Sequence, residues 1–163
     1  MTNRSVLIIL AAGGSLALLL GAFGFQYLGD MPPCKLCLWQ RWPHAAAVLI
    51  GLIALSFPGL KIPGLNIPGP ALPLTGALAA LSTAAIGLYH TGVERGWWQG
   101  PNSCTSGPID GLSTDDLMAR IMAAPLVRCD DVPWEMFNLS MASWNAIASV
   151  ALALLWLAAA RQN

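Results

Sequence analysis

Four long stretches without a charged side chain constrain this chain more than any other feature. They cover residues 5–29, 42–60, 62–93 and 136–160. A helix needs about 20 mostly apolar residues to cross a bilayer, so each stretch can hold one. Only helices and closed barrels satisfy the backbone in lipid, and these stretches lack the alternating pattern of barrel strands. The sequence therefore predicts an all-α integral membrane protein, a bundle of four transmembrane helices.

The predicted spans are 6–28, 42–57, 74–90 and 144–160, and residues 1–163 form a single membrane domain. Charged residues make up 10% of the chain, whereas a soluble domain carries about 25%. The net charge of zero gives no indication of nucleic-acid binding. The apolar run after Arg4 is longer than the roughly 7–15 residues of a signal-peptide core, and no clear A-x-A cleavage pattern follows it. This favours an uncleaved anchor.

The connections between the spans differ in character. Prolines at 58, 63, 68 and 73 predict a stiff turn between the second and third spans. Residues 94–135 hold ten of the sixteen charged side chains. Within that part, residues 113–125 predict a short helix, whose apolar face is suited to the bilayer surface. That face contains Leu117, Met118, Ile121 and Met122.

All four cysteines lie in the first and third connections, at Cys34, Cys37, Cys104 and Cys129. With four spans, these two connections lie on the same side of the membrane. Five Lys and Arg residues lie on that side and three on the other. The positive-inside rule would therefore put the cysteines in the cytoplasm.

Three functions for the cysteines compete. A Cys₄ zinc site is one, but such sites usually have two close pairs, and Cys104 and Cys129 are 25 positions apart. Structural disulfides are the second; the distant pair could form one, but a bridge from Cys34 to Cys37 would restrain almost no chain. Redox cycling is the third, and C-x-x-C motifs commonly lower the pKa of one thiol for this purpose.

Arg41 favours redox chemistry. If the chain is helical from Cys37 onward, the two residues share a face, about 6 Å apart along the axis. The guanidinium would then stabilise a thiolate, although an arginine that extends toward the lipid headgroups is the alternative. Leu38 follows the C-x-x-C pair, which excludes a haem C-x-x-C-H motif, and no G-x-G-x-x-G follows a strand. A lipid-soluble quinone is the remaining electron acceptor that suits such a chain.

Several motifs occur together, in order, across most of the sequence. They are C-K-L-C at 34–37 with an arginine at 41, L-Y-H at 88–90, G-P-N-S-C at 100–104, R-C-D-D-V-P-W at 128–134 and L-S-M-A-S-W-N at 139–145. In these motifs the chain resembles the DsbB family, the bacterial inner-membrane thiol:quinone oxidoreductases of disulfide bond formation.

The resemblance implies a topology and a route for electrons. Both chain ends would be cytoplasmic and both cysteine loops, 29–41 and 91–143, periplasmic, against the Lys and Arg count. A reduced DsbA-type periplasmic thiol oxidase would attack the Cys104–Cys129 disulfide at Cys104. The electrons would pass to the Cys34–Cys37 pair, and Cys37 would deliver them to a quinone. The DsbA-type partner has a potential near −120 mV, so an ordinary disulfide near −300 mV could not reoxidise it.

The resemblance also implies the cofactor site. Arg41 and His90 would contact the quinone, either ubiquinone or menaquinone, and no metal is expected. The expected resting disulfides join Cys34 to Cys37 and Cys104 to Cys129. His44 has no counterpart in this pattern and is interpreted as helix-end packing. The alternatives are a quinone-linked thiol oxidase resembling vitamin K epoxide reductase, and a non-enzymatic membrane scaffold with structural disulfides.

Overall fold

The structure, a computed structural model, describes residues 2–57, 61–62, 65–66, 69–105, 113–115, 118, 122 and 127–162. These ranges contain four long helices and two short hairpins. In chain order they are α1 (Asn3–Tyr27), α2 (Lys35–Ser56), β1 (Lys61–Ile62), β2 (Leu65–Asn66), α3 (Ala71–Glu94), β3 (Glu135–Met136), β4 (Leu139–Ser140) and α4 (Met141–Arg161).

Side-chain caps decide where three of the helices begin. Thr2, Cys34 and Ser140 each accept a hydrogen bond from a backbone N–H in the first turn of α1, α2 and α4. The cap at Cys34 starts α2 seven residues before the predicted second span. Pro43 therefore lies inside the helix. The predicted redox loop is correspondingly shorter, because Arg41 is helical rather than in the loop.

The four helices form a ring in which α1 and α3 each pack against both α2 and α4. Small residues fill most of the centre, and the fully buried ring of Trp156 occupies the space between them. A Cβ added at Gly76 would come within 2.6–2.7 Å of the Trp156 ring, and one at Gly51 would clash with the Ala12 Cβ. Helix contacts through small residues are typical of packing in membranes, where backbones approach closely.

The two cysteine-bearing connections lie at one end of this ring, as the count of spans predicts. Lys35 Nζ donates to Ser103 Oγ at 2.9 Å, which joins the start of α2 to the third connection. At the opposite end, the Arg4 guanidinium donates to the Gly69 carbonyl, joining α1 to the start of α3.

The outer surface of the ring is apolar, with exposed leucines on every helix, among them Leu20, Leu49, Leu78 and Leu154. In the described part of the chain, α1, α3 and α4 are long and apolar enough to cross a membrane, and α2 is not among them. The first turns of α2 carry Lys35, Gln40, Arg41 and His44. Three helices thus support a helical membrane protein, whereas the fourth transmembrane span remains a prediction.

The third connection is described only in part. For the predicted surface helix at 113–125, Leu117 and Ile121 lie outside the described residues, while Met118 and Met122 are exposed. Nearer α4, β3 and β4 pair as a hairpin, with positive φ at its two central residues, Phe137 and Asn138. This tight turn leads directly into the Ser140 cap of α4.

Candidate active site

Cys34 and Cys37 lie at the N-terminus of α2. Their Sγ atoms are 2.8 Å apart and are not joined, so a small rotation reaches the roughly 2.05 Å of a disulfide. The Cys34 sulfur also accepts from the Cys37 backbone N–H at 3.2 Å. The pKa of the Cys34 thiol is raised because it donates a hydrogen bond to the Cys37 sulfur and because it is buried. The same hydrogen bond lowers the pKa of Cys37, which is therefore the more acidic thiol of the pair and lies at the positive end of the helix dipole.

The second cysteine pair forms the disulfide Cys104–Cys129, which confirms that pairing. Both residues are buried, and they pack in one cluster with Cys34, Leu36 and Val93. The expected Cys34–Cys37 disulfide is not formed in this structure. Since Cys104 and Cys129 are bonded to each other, the described state does not offer four thiolates for a Cys₄ zinc site.

Arg41 lies one helical turn after Cys37 and contacts α1. Its Nη1 donates to Gln26 Oε1 at 2.6 Å, its Nη2 to the Ala22 carbonyl at 3.4 Å, and its guanidinium lies 4.9 Å from the Phe23 ring centroid. The side chain is half-buried. These contacts favour an inward-facing arginine over one that extends toward lipid headgroups.

His90 lies near the end of α3, buried beside the C-x-x-C pair. Its Nε2 is 3.5 Å from Cys34 Sγ and 3.7 Å from Glu94 Oε1. The sequence motif L-Y-H predicted His90 as a site residue, and the structure places it against Cys34. Glu94 in turn accepts a hydrogen bond from the Ser140 hydroxyl, which connects α3 to the cap of α4.

Sequence reasoning missed a group of polar side chains behind His90. Gln40, Thr83 and Asn145 are hydrogen-bonded to one another, and His44 Nε2 lies 2.9 Å from Asn145 Oδ1. His44 is therefore part of a polar network and not only a packing residue. The sequence did contain a signal for this network. Polar side chains within apolar spans usually face the interior of the helix bundle, and they are the first candidates for functional residues.

A cavity of about 510 Å³ opens beside the cysteine pair, between α1, α2 and the start of α4. That volume is in the usual range for small-molecule sites. Apolar side chains form much of the wall. The polar residues that line the cavity are Cys34, Cys37, Gln40, Arg41, His44, His90, Glu94, Arg128, Asp131 and Asn145.

Two polar atoms of the lining residues are buried without a hydrogen-bond partner: Arg41 Nε, a donor, and His44 Nδ1. Buried polar atoms normally have partners, so such atoms beside a cavity suggest a ligand with polar groups. The site thus combines a disulfide, an adjacent dithiol and a cavity next to that dithiol. Together these can accept electrons by thiol–disulfide exchange and deliver them to a small molecule.

A family model described as "Disulfide bond formation protein DsbB" matches residues 3–159. Similar proteins named "Disulfide bond formation protein B" include one from Actinobacillus pleuropneumoniae, 27% identical over 94% of this chain and 83% of its own length. Another from Burkholderia pseudomallei is 29% identical over 90% of this chain and 83% of its own length. One from a Shewanella species is 26% identical over 86% of this chain and 77% of its own length. No solved structure matches the chain.

Proposed function

The chain belongs to the DsbB family of disulfide bond formation proteins, and we propose that it is a protein-dithiol:quinone oxidoreductase that reoxidises a DsbA-type periplasmic thiol oxidase. Family membership makes it a membrane oxidoreductase of disulfide formation. The observation that carries the finer proposal is the buried cluster in which Cys34 packs with the Cys104–Cys129 disulfide. Cys37, beside Cys34, lines the cavity.

The first exchange takes place at the loop disulfide. A thiolate of the reduced partner attacks the sulfur of Cys104, the Cys104–Cys129 bond breaks, and Cys129 leaves as a thiolate. The second partner thiol, losing its proton, then displaces Cys104. The partner is thereby oxidised by two electrons, and Cys104 and Cys129 are reduced.

The second exchange restores the loop disulfide. A loop thiolate attacks the Cys34–Cys37 disulfide at Cys34, Cys37 leaves as a thiolate, and the other loop cysteine displaces Cys34. The described state, with Cys104–Cys129 bonded and the Cys34–Cys37 pair free, corresponds to the point after this exchange. The helix dipole and the proton held by Cys34 stabilise the Cys37 thiolate at that point.

The residues around the cavity fit a quinone head group. A bound quinone supplies an acceptor for two electrons and two protons. Arg41 would hold it through the unpartnered Nε–H, donating to a carbonyl oxygen, and His44 Nδ1 offers an acceptor for a hydroxyl. His90 faces the same cavity while its Nε2 lies at Cys34. The apolar wall, with Leu18, Phe25 and Trp134 among its members, suits a ring and excludes water.

The proposed location is the bacterial inner membrane, with all four helices spanning and the cysteine end in the periplasm. The apolar outer surface and the three membrane-length helices support it. The periplasmic side follows from the partner, because a thiol oxidase of exported proteins works there.

The purified protein, mixed with a reduced DsbA-type partner and either a ubiquinone or a menaquinone analogue, tests this proposal. We expect partner oxidation and quinone reduction in equal amounts. Counting free thiols measures the first, and quinone absorbance measures the second. The matched variant Cys37→Ser should stop quinone reduction. Partner oxidation that does not need quinone, or no reaction with either quinone, would contradict the proposal and favour a scaffold with a structural disulfide.

A further inference from the structure

A chain of hydrogen bonds runs from the interior of the bundle to the Cys34 sulfur. Asn145 Nδ2 donates to Gln40 Oε1 at 2.7 Å, and Gln40 Nε2 lies 3.0 Å from His90 Nδ1. His90 Nε2 then lies 3.5 Å from Cys34 Sγ. The links join residues of α2, α3 and α4 that are 50 to 105 positions apart in sequence. Because every link has a donor and an acceptor, the direction of one constrains the next.

Backbone carbonyls fix the direction of this chain at two places. Gln40 Nε2 also donates to the Leu36 carbonyl at 3.2 Å, and a carbonyl can only accept, so the nitrogen side of this amide must face it. The single hydroxyl hydrogen of Thr83 is donated to the Gln40 carbonyl at 3.1 Å. Thr83 Oγ1 is therefore an acceptor for Asn145 Nδ2, 3.2 Å away, which sets the orientation of the second amide.

The protonation of the His90 ring follows from this direction. Since Gln40 presents an N–H to Nδ1, Nδ1 must carry the lone pair, and the hydrogen of the neutral ring is on Nε2. The neighbours of Nε2 agree, because Cys34 Sγ at 3.5 Å and the carboxylate oxygen Glu94 Oε1 at 3.7 Å both lie on its side of the ring and neither needs a lone pair from it.

The same ring nitrogen completes a set of metal-binding atoms. The two sulfurs of Cys34 and Cys37 and a ring nitrogen of His90 all lie within 4.8 Å of one another, and Nε2 is the ring nitrogen that lies 3.5 Å from Cys34 Sγ. Two cysteines with one histidine form a known zinc set. A histidine that binds a metal through Nε2 needs the lone pair there, and usually an acceptor that takes the hydrogen of Nδ1. Gln40 instead presents a hydrogen-bond donor to Nδ1.

We propose that Thr83, Asn145 and Gln40 form a lock that holds His90 as the Nε2–H tautomer, and that this lock keeps the reduced Cys34–Cys37 pair from being captured by zinc or a similar soft divalent ion. Its value to redox cycling rests on the proposed function, since a dithiol held by zinc would not react. The tautomer and the metal affinity are properties of the site whether or not that function holds.

Two nearly isosteric substitutions reverse the lock from different positions. Asn145→Asp replaces the N–H that faces Gln40 Oε1 with a carboxylate oxygen. Turning the Gln40 amide toward that carboxylate forms a charge-assisted hydrogen bond, which outweighs the neutral bond given up at the Leu36 carbonyl, and the amide oxygen then faces His90. Gln40→Glu places an acceptor against Nδ1 directly. Both should move the ring hydrogen to Nδ1 and leave Nε2 free to bind metal. The matched control is Ser149→Ala in α4, whose buried hydroxyl has no hydrogen-bond partner.

The tautomer is read from ¹⁵N spectra of the reduced, histidine-labelled protein in detergent. The chain has two histidines, so loss of one set of signals in His90→Asn assigns them. We expect the hydrogen on Nε2 in the wild type and in Ser149→Ala, and on Nδ1 in the two reversing variants. A wild-type ring with the hydrogen on Nδ1 would overturn the proposal, even if no variant folded.

Metal affinity is measured by titration with Cd²⁺, followed by thiolate-to-metal charge-transfer absorption. Mutating a residue that hydrogen-bonds to a metal-binding histidine typically changes the metal affinity about 10- to 100-fold. Asn145→Asp and Gln40→Glu should therefore bind Cd²⁺ at least about tenfold more tightly than the wild type. Equal affinities with a confirmed change of tautomer would refute the role against metal capture. Neither measurement uses quinone or a partner, so its outcome is separate from that of the proposed oxidoreductase.

Discussion

Arg41 of α2 donates a hydrogen bond of 2.6 Å from its Nη1 to Oε1 of Gln26 in α1. This contact holds the guanidinium at the wall of the cavity, one helical turn from Cys37, in a half-buried place where water screens charge poorly. Its Nε remains without a partner. A fixed cation there can stabilise both a thiolate and a ligand oxygen that gains negative charge.

For Arg41→Ala, we therefore expect the apparent quinone KM to rise at least tenfold, which corresponds to about 1.4 kcal/mol of lost binding. The quinone KM of Arg41→Lys should lie between those of the wild type and Arg41→Ala, because an ammonium keeps the charge but lacks the planar guanidinium group. Steady-state rates at several quinone concentrations, with the partner saturating, measure this. Arg161→Ala, at the far end of the bundle, is the control. An alanine variant with unchanged quinone dependence would reduce Arg41 to a structural link between α1 and α2.

Gln26→Leu tests whether that link positions the arginine. Leucine keeps most of the side-chain volume but removes the acceptor of the 2.6 Å hydrogen bond. We expect the quinone KM to rise by a smaller factor than in Arg41→Ala, since the cation stays but is less fixed. The double variant Gln26→Leu/Arg41→Ala should have no higher a quinone KM than Arg41→Ala alone. Additive effects would show instead that Gln26 contributes independently of Arg41.

Cys104→Ser should block oxidation of the partner while the Cys34–Cys37 pair still reacts with quinone. The reason is that the two pairs are separate couples, one in the third connection and one at the start of α2. Partner thiols and quinone absorbance are followed in parallel, with Ser103→Ala as the neighbouring control. Partner oxidation at the normal rate in Cys104→Ser would rule out the two-step relay.

Disulfide mapping of the oxidised protein should find two bonds, Cys34–Cys37 and Cys104–Cys129. The second is present in the structure, and the 2.8 Å between the other two sulfurs makes their closure a local movement. Mass spectrometry of the non-reduced, alkylated protein decides it. If Cys34 or Cys37 were mainly joined to a loop cysteine at rest, the assignment of the couples would be wrong, because that bond belongs to turnover.

Gly76→Ala should destabilise the bundle, since the added methyl would lie 2.6–2.7 Å from the fully buried Trp156 ring. Overpacking of this kind costs about 1–3 kcal/mol. Gly13→Ala is the matched control, because a Cβ there meets nothing within 4 Å. Thermal unfolding in detergent should show a lower midpoint for Gly76→Ala only. Equal midpoints would mean that Trp156 moves freely to make room.

The sequence by itself determined the helical class, because uncharged apolar stretches of membrane length leave the backbone few ways to satisfy its hydrogen bonds. It also placed all four cysteines at one end, since two connections separated by a pair of spans lie on the same side. The relation of Cys37 to Arg41 was local as well, because four residues make about one helical turn. The start of α2 was missed, since Cys34 acts as its cap and a cysteine is not a usual cap residue.

Only the tertiary structure decided which side chains meet inside the ring. Asn145 and Gln40 are 105 positions apart, and their contact depends on how α4 is rotated against α2 and α3. That rotation is set by close packing around Trp156, where glycines allow the helices to approach. Periodicity along the chain reports the face of a helix but not its partner across the bundle. For that reason the tautomer of His90 and the packing of Cys34 with the loop disulfide came from the fold alone.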